Sequence, residues 1–421
     1  MSSDSYRPMR HALRHPAVLA WLAAVGVLLG SHIAAAQTAP SGTASAAAAT
    51  TASATLQQAQ ASGPGPAAAS TPAQPAAVTA GWQNGFFVQS ANGDYRLLIN
   101  GVAQVDGRFS VDDPEPIINT FTVRKLRPSL QGRIAKYIDF RLTPDFGNGT
   151  AVLVDAFFDV RFSNALRIRA GKDKTPIGLE LLQSDPALLF PERSLASTLV
   201  PNRDVGFQAL GDLGTKVIYS AGIFNGIPDG ANSVADLDTN NGKDLAGRIQ
   251  LQPFRSASTP ASPLNNLGLH LGASSGSQTG ALPSFKTSVG QTYFAYAGAT
   301  ADGDRVRVTP GVFYYYKSFG AFGEYVRVQQ DVVKGATHLT FTNSGWDVSS
   351  VFNLTGEAAS SGVVQPRSGF DPPTSKYGAL QLVARYAALD VDQDIFTAGF
   401  AAAAASQTAK QATIGVNWYP V

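Results

Sequence analysis

Between Tyr137 and Phe162 charged side chains recur at alternate positions with apolar ones between them. Asp139, Arg141, Thr143 and Asp145 share one parity, and Ile138, Phe140, Leu142, Pro144 and Phe146 the other. After a Gly-Asn-Gly turn the split returns, with Val152, Val154, Ala156, Phe158, Val160 and Phe162 set against Asp155, Asp159 and Arg161. Side chains of a strand alternate between the two faces of a sheet, so guanidinium and carboxylate groups collect on one of them. The chemistry such a row offers is electrostatic: fixed charges that replace the hydration of an ion stepwise and let it go again.

Covalent chemistry has less to work with. There is no cysteine, which excludes disulfides, thiolate metal sites and cysteine nucleophiles. A hydrolase built on a membrane barrel needs a base such as histidine beside a serine or aspartate. Past residue 36 only His270 and His338 remain, in no catalytic pattern, so no enzyme, metal or cofactor is expected. An adhesin or purely structural barrel would need no basic inner wall.

The elements that must hold these charges are strands. Phe, Val and Ile outward with charges inward suits lipid outside and water inside, the layout of a transmembrane antiparallel β-barrel. The 41 glycines and 15% charged residues fit an all-β, turn-rich chain. Roughly fourteen strands are readable, at 94–109, 120–133, 137–146, 152–162, 166–170, 204–211, 216–225, 243–254, 267–275, 304–316, 319–330, 345–357, 378–390 and 408–419.

On the inward faces of the first five lie Arg96, Arg108, Lys125, Arg127, Arg133, Arg141, Arg161, Arg167 and Arg169 against Asp106, Asp139, Asp145, Asp155 and Asp159. Two readings stand open: cross-strand pairs that keep the wall wet, or a ladder of guanidinium groups for an anion. Arg124 is out of phase and is expected at headgroup level. Arg248, Arg305, Arg307 and Arg385 are expected to face inward, and Tyr314, Tyr315, Tyr316, Trp418 and Tyr419 to form interfacial belts.

If the first strand rises from the periplasm, 176–203, 227–241 and 276–303 fall in outer loops, while 358–377 is long for an inner turn. Folded inward, the third outer loop would bring Glu192 and Arg193 to a constriction with Lys172, Lys174 and Arg203 at its entrance. Alternatively Lys172 and Arg203 pair with Asp173 and Asp204 and pin the ends of the loop.

The N-terminus adds its own signals. The apolar run 17–30 follows Arg7, Arg10 and Arg14 and precedes Ala34-Ala35-Ala36, the layout of a cleavable signal peptide over 1–36 rather than a short membrane anchor. Residues 37–80 are Ala, Ser, Thr, Pro, Gln and Gly apart from Leu56 and Val78, without charge, a disordered tether before a barrel at 81–421. Losing three arginines and one aspartate with the leader takes the formal charge from +2 to 0. Bulk attraction to nucleic acid is thereby excluded.

The run from Asp155 to Glu180, in particular Ala170-Gly171-Lys172-Asp173-Lys174-Thr175-Pro176-Ile177-Gly178-Leu179-Glu180, then Phe190-Pro191-Glu192-Arg193, Pro201-Asn202-Arg203-Asp204 and Ile414-Gly415-Val416-Asn417-Trp418-Tyr419, resembles the phosphate-selective porins O and P. The resemblance covers about Gly81 to the end. It implies a homotrimeric sixteen-stranded channel in the outer membrane of a Gram-negative bacterium, among lipid and lipopolysaccharide, passing phosphate or polyphosphate along arginines and lysines by diffusion. A general low-selectivity porin is the alternative. The family's basic cluster maps onto Arg124, Lys125, Leu126 and Arg127, with lysine at the second place and hence without the planar fork there. Members continue past the Asn-Trp-Tyr segment, so two further C-terminal strands are expected to be missing, leaving an open seam.

Overall fold

The computed structural model describes residues 78–111, 118–230, 238 and 240–421. The expected signal peptide and nearly all of the tether lie outside the described residues. Sixteen strands form one sheet in chain order, each antiparallel to the next. They are β1 (Val78–Trp82), β2 (Phe86–Ser90), β3 (Arg96–Arg108), β4 (Thr120–Ile134), β5 (Ile138–Asp145), β6 (Val152–Arg161), β7 (Arg167–Lys174), β8 (Arg203–Leu213), β9 (Val217–Phe224), β10 (Asp244–Leu251) and β11 (Leu267–Ala281). After a separate small hairpin of β12 (Phe285–Lys286) and β13 (Thr292–Phe294) come β14 (Thr300–Tyr316), β15 (Phe319–Lys334), β16 (Thr337–Asn353), β17 (Ala379–Asp390) and β18 (Thr408–Tyr419).

Every strand read from alternation is present. The sheet reaches sixteen with β1 and β2 at its N-terminal edge, in a stretch whose first residues read as tether, and not with two strands after Tyr419.

Two loops show that the sheet curls. The β7–β8 connection accepts a hydrogen bond from β3, Gln104 Nε2 to the Pro191 carbonyl at 3.4 Å, and another from β18, Asn417 Nδ2 to the Leu189 carbonyl at 2.9 Å. The β11–β14 connection likewise meets both ends, through Arg108 to the Val289 carbonyl at 3.5 Å and through Gln411 to Ser288. At about 4.8 Å between neighbouring strands, β3 and β18 would stand roughly 60 Å apart in a flat sheet. The fold is therefore a β-barrel, with these loops inside it. Its outer face is apolar and uncovered: Phe158, Phe207 and Val416 keep 51%, 63% and 65% of their surface, an arrangement suited to lipid.

Inside, apolar packing fills one side. Leu179 and Phe190 of the β7–β8 connection pack with Phe313, Tyr315, Phe322, Val351 and Val383 of β14–β17 and with Ala359 from the β16–β17 connection. Tyr315, expected in an interfacial belt, is part of this interior cluster. The long connection 354–378 thus turns into the barrel, which is why its length departs from the short-turn pattern of that rim.

Backbones approach closely where β6 and β7 meet. Gly171 has φ +123°, and a Cβ there would stand 2.2 Å from the Ala156 carbonyl oxygen. Gly171→Ala is expected to weaken the β6–β7 ladder and lower the temperature at which the folded form is lost on a heat-modifiability gel; an unchanged transition would contradict this contact.

Candidate functional site

The β7–β8 connection positions the site. Thr175 Oγ1 donates to the Pro201 carbonyl at 2.7 Å and closes its neck. Leu195, Ala196, Leu199 and Val200 are buried with Val326, Val328, Ala387 and Leu389 of the wall. Polar contacts lock the register: the Glu324 carboxylate accepts from the backbone N–H groups of Leu179 and Glu180. Glu180 Oε2 in turn accepts from Ser194 N and Ser197 Oγ, each at 2.8 Å, while its Oε1 meets Arg385 Nη1 at 3.1 Å. Asp347 accepts from Ser194 Oγ at 3.1 Å. Glu180, Glu324 and Asp347 were not among the sequence candidates; inward parity of Glu324 and Asp347 in their strands was the signal available.

With that side filled, open space lies against β3–β8. A cavity of about 770 Å³ is bounded by Arg127, Ser129 and Thr143 of the wall, by Ser184 and Asp185 of the inward loop, and by Val363 and Gln365 from the opposite connection. A second, of about 570 Å³, reaches the short-turn rim at Asn92, Asp94 and Lys136. Both are lined by Gln131, Arg141 and Arg169, so they join into one passage. The first presents Arg127, Arg141, Arg169, Lys174, Arg203 and Arg248 against Asp155, Asp173 and Asp185. The second presents Arg96, Arg133, Lys136, Arg141, Arg167 and Arg169 against Asp94, Asp139 and Asp159. Along both, cations outnumber carboxylates two to one.

Four of these cations, Arg127, Arg133, Arg169 and Arg203, are paired with carboxylates. Arg133 and Arg161 share Asp139, with Arg133 Nε 2.9 Å away. Arg169 bonds Asp159 at 2.6 and 2.8 Å, reaches Asp173, and lies 3.8 Å above the Phe157 ring. Arg141 is different: it donates to the neutral Gln131 side chain at 2.7 Å and has no ion pair among the described residues. Arg96 donates to Gln83 at 2.7 Å. Lys125, 3.2 Å from Asp185, and Arg127, which bonds both Asp145 at 2.6 Å and Asp185, converge on the inward loop. Arg193 reaches the same Asp185 at 3.3 Å.

Arg108, 2.9 Å from Glu192, ties the loop to β3. Arg124 does so to β4, at 2.5 Å from the same carboxylate. Arg124 is not at headgroup level: a β-bulge opposite Gln104 and Val105 makes it the extra residue of β4 and turns it inward beside Lys125.

The loop's ends depart from the expected pairing at Arg203, while Lys174 and Arg203 both line the larger cavity. Arg203 pairs with Asp155 at 3.0 Å and not with Asp204, whose carboxylate accepts from the N–H groups of Val205 and Gly226. Lys174 is turned to the loop backbone, donating to the carbonyls of Leu181 at 2.8 Å and Gln183 at 2.6 Å. Lys172 is buried. Of the four downstream arginines, Arg305 and Arg307 bond Asp244 at 2.8 and 3.0 Å and Arg385 bonds Glu180, so Arg248 alone of them lines the passage.

Burial opposes ionisation of Asp185, yet Lys125, Arg193, Arg127 and Lys174 around it hold its carboxyl well below the usual carboxylate range. A carboxyl depressed in this way stabilises the fold above its unfolded value of about 3.9 and loses that contribution only as pH falls through the lower folded value. The difference in reversal potential between the protein and its Asp185→Asn variant should accordingly persist down to pH 4; convergence of the two at pH 5 would mean that Asp185 is already protonated there.

A family model described as phosphate-selective porin O and P matches residues 99–421. Among solved structures the chain is similar to the anion-selective porin from Comamonas acidovorans, with 14% identity, a TM-score of 0.47, and 76% of this chain and 83% of that one covered. It is also similar to in-vitro folded OmpT, an outer membrane protein of Vibrio cholerae, with 11% identity, a TM-score of 0.47, and 77% and 83% covered. For OprB of Pseudomonas putida the values are 10%, 0.42, 77% and 85%. No curated protein matches the chain in sequence.

Proposed function

The chain belongs to the phosphate-selective porin O and P family, which makes it an outer-membrane porin for anions, and from that premise we propose that phosphate or polyphosphate diffuses through an arginine-rich passage. The observation that carries this reading is the two-to-one excess of cations lining both joined cavities in a chain whose acidic and basic residues nearly balance. Placement, and not total charge, supplies the positive field. Arg127, Arg169, Arg193 and Arg203 are paired with carboxylates, which favours release. Arg96, Arg141 and Arg167 supply steps toward the short-turn rim. Each ion is thus held strongly enough to enter and weakly enough to leave.

Export through a signal peptide over 1–36, the tether over 37–80, assembly as a homotrimer and contact with lipopolysaccharide complete the proposal. In a hydrolase His270 would stand beside a nucleophile, whereas both its ring nitrogens are without a hydrogen-bond partner among the described residues.

The test is electrical. Reconstituted protein in a KCl gradient is expected to give a reversal potential of the anion-selective sign, and a cation-selective sign would refute the reading. Millimolar phosphate is expected to reduce the chloride current; absence of inhibition would leave a general anion porin.

A further inference from the structure

A smaller chamber of about 210 Å³ opens off the passage beneath the inward loop, sharing Leu182, Ser184 and Arg248 with the main cavity. Its chemistry differs from that of the passage. Leu179, Leu182, Phe313 and Tyr315 give it an apolar and aromatic wall. Its single charged group is Arg248, on β10, which makes no hydrogen bond or ion pair among the described residues and whose Nε is buried without a partner. One strand over, His270 stands opposite Gln250 in the β10–β11 ladder, only 3% exposed, and its ring nitrogens are unmet as well.

A half-buried guanidinium with its Nε enclosed and unpaired calls for an explanation, because most inward arginines of this barrel have a carboxylate. We propose that the chamber is a binding site for small aromatic carboxylates, the carboxylate meeting Arg248 and the ring lying against Phe313 and Tyr315. A carboxylate satisfies the guanidinium through charge-assisted hydrogen bonds, and the ring gains from edge or offset contact with the two aromatic side chains. The size fits: a cavity of about 150 Å³ holds benzene, so this one has room for one ring and its carboxylate. Inorganic phosphate would leave the apolar wall uncovered, so the site selects a different anion class from the one proposed for the passage. The inference rests on the porin reading only for access, since the chamber is reached from the passage.

Benzoate and acetate, added in turn to the reconstituted protein, separate the possibilities. Benzoate is expected to reduce the chloride current at concentrations at least ten-fold lower than acetate. Arg248→Gln should weaken benzoate inhibition at least five-fold. Ser361→Phe, at an exposed position lining the chamber, should do the same by filling it while leaving inhibition by phosphate unchanged, and serves if Arg248→Gln does not fold. Equal potency of acetate and benzoate, or benzoate inhibition undiminished in the folded variants, would overturn the proposal. The reversal potential in the same membranes reports separately on anion selectivity: an anion-selective channel without ring-specific inhibition removes the chamber and keeps the porin, whereas a cation-selective one removes the porin.

Discussion

Replacing Asp185 by asparagine is expected to raise the anion-to-cation permeability ratio five- to thirty-fold. Asp185 is the carboxylate on which Lys125, Arg127 and Arg193 converge at the inward loop. Removing one unit of negative charge about 8 Å from a passing ion lowers the energy of an anion and raises that of a cation by about 0.5–1 kcal/mol each at an effective dielectric constant of about 40–80, so their difference changes by about 1–2 kcal/mol. Arg127 keeps Asp145 at 2.6 Å, so the asparagine variant retains an anchor for its most constrained cation. The measurement is the shift of reversal potential in a KCl gradient. No shift, or a shift toward cations, would show that Asp185 does not face the permeating ion.

The second large effect is expected at Arg385→Met. Arg385 joins Glu180 Oε1 at 3.1 Å and the Glu192 carbonyl at 3.0 Å, and stacks over Phe190 with 4.5 Å to the ring centre. Glu180 and Arg385 are almost wholly buried, as are Glu324 and Asp347 beside them. Taking away the one guanidinium leaves three carboxyl groups at the root of the loop without it, a loss of about 3–5 kcal/mol. Because the loop and the wall are joined there, the loss should be felt as a loosened constriction. Single-channel conductance should rise and the unfolding transition on a heat-modifiability gel should fall. Wild-type values of both would show that apolar packing around Leu195 and Leu199 suffices to seat the loop.

How much of this was readable depends on the range of the interaction. Strands β3 to β11 and β14 to β18 were legible because alternation is local, written into neighbours two residues apart. β1 and β2 were not: five residues each, with Val-Thr-Ala-Gly-Trp continuous in composition with the tether before it, they form because a partner strand is at hand. The inward row of arginines was legible too, but its partners were only partly so. Asp139 beside Arg133 is a neighbour across a turn. Asp185 and Glu192, by contrast, reach Arg127 and Arg124 from 58 and 68 residues away through the fold of a loop, and no periodicity announces that. The same limit explains Arg203, whose sequence neighbour Asp204 turns to backbone N–H groups while Asp155 on another strand takes the guanidinium.

The bulge at Arg124 lifts a limit on linear charge density. Along a regular strand the inward positions come about 6.6 Å apart, so no choice of residues can make that face denser. By spending one unpaired residue, β4 places Arg124 and Lys125 consecutively on the inner side, with Arg127 next on the same face. A barrel wall thereby reaches, over a few ångströms, a crowding of cations that its pleat forbids everywhere else. Deleting the single residue Arg124 would restore the regular pleat and the ordinary spacing while changing the overall charge of the chain by one.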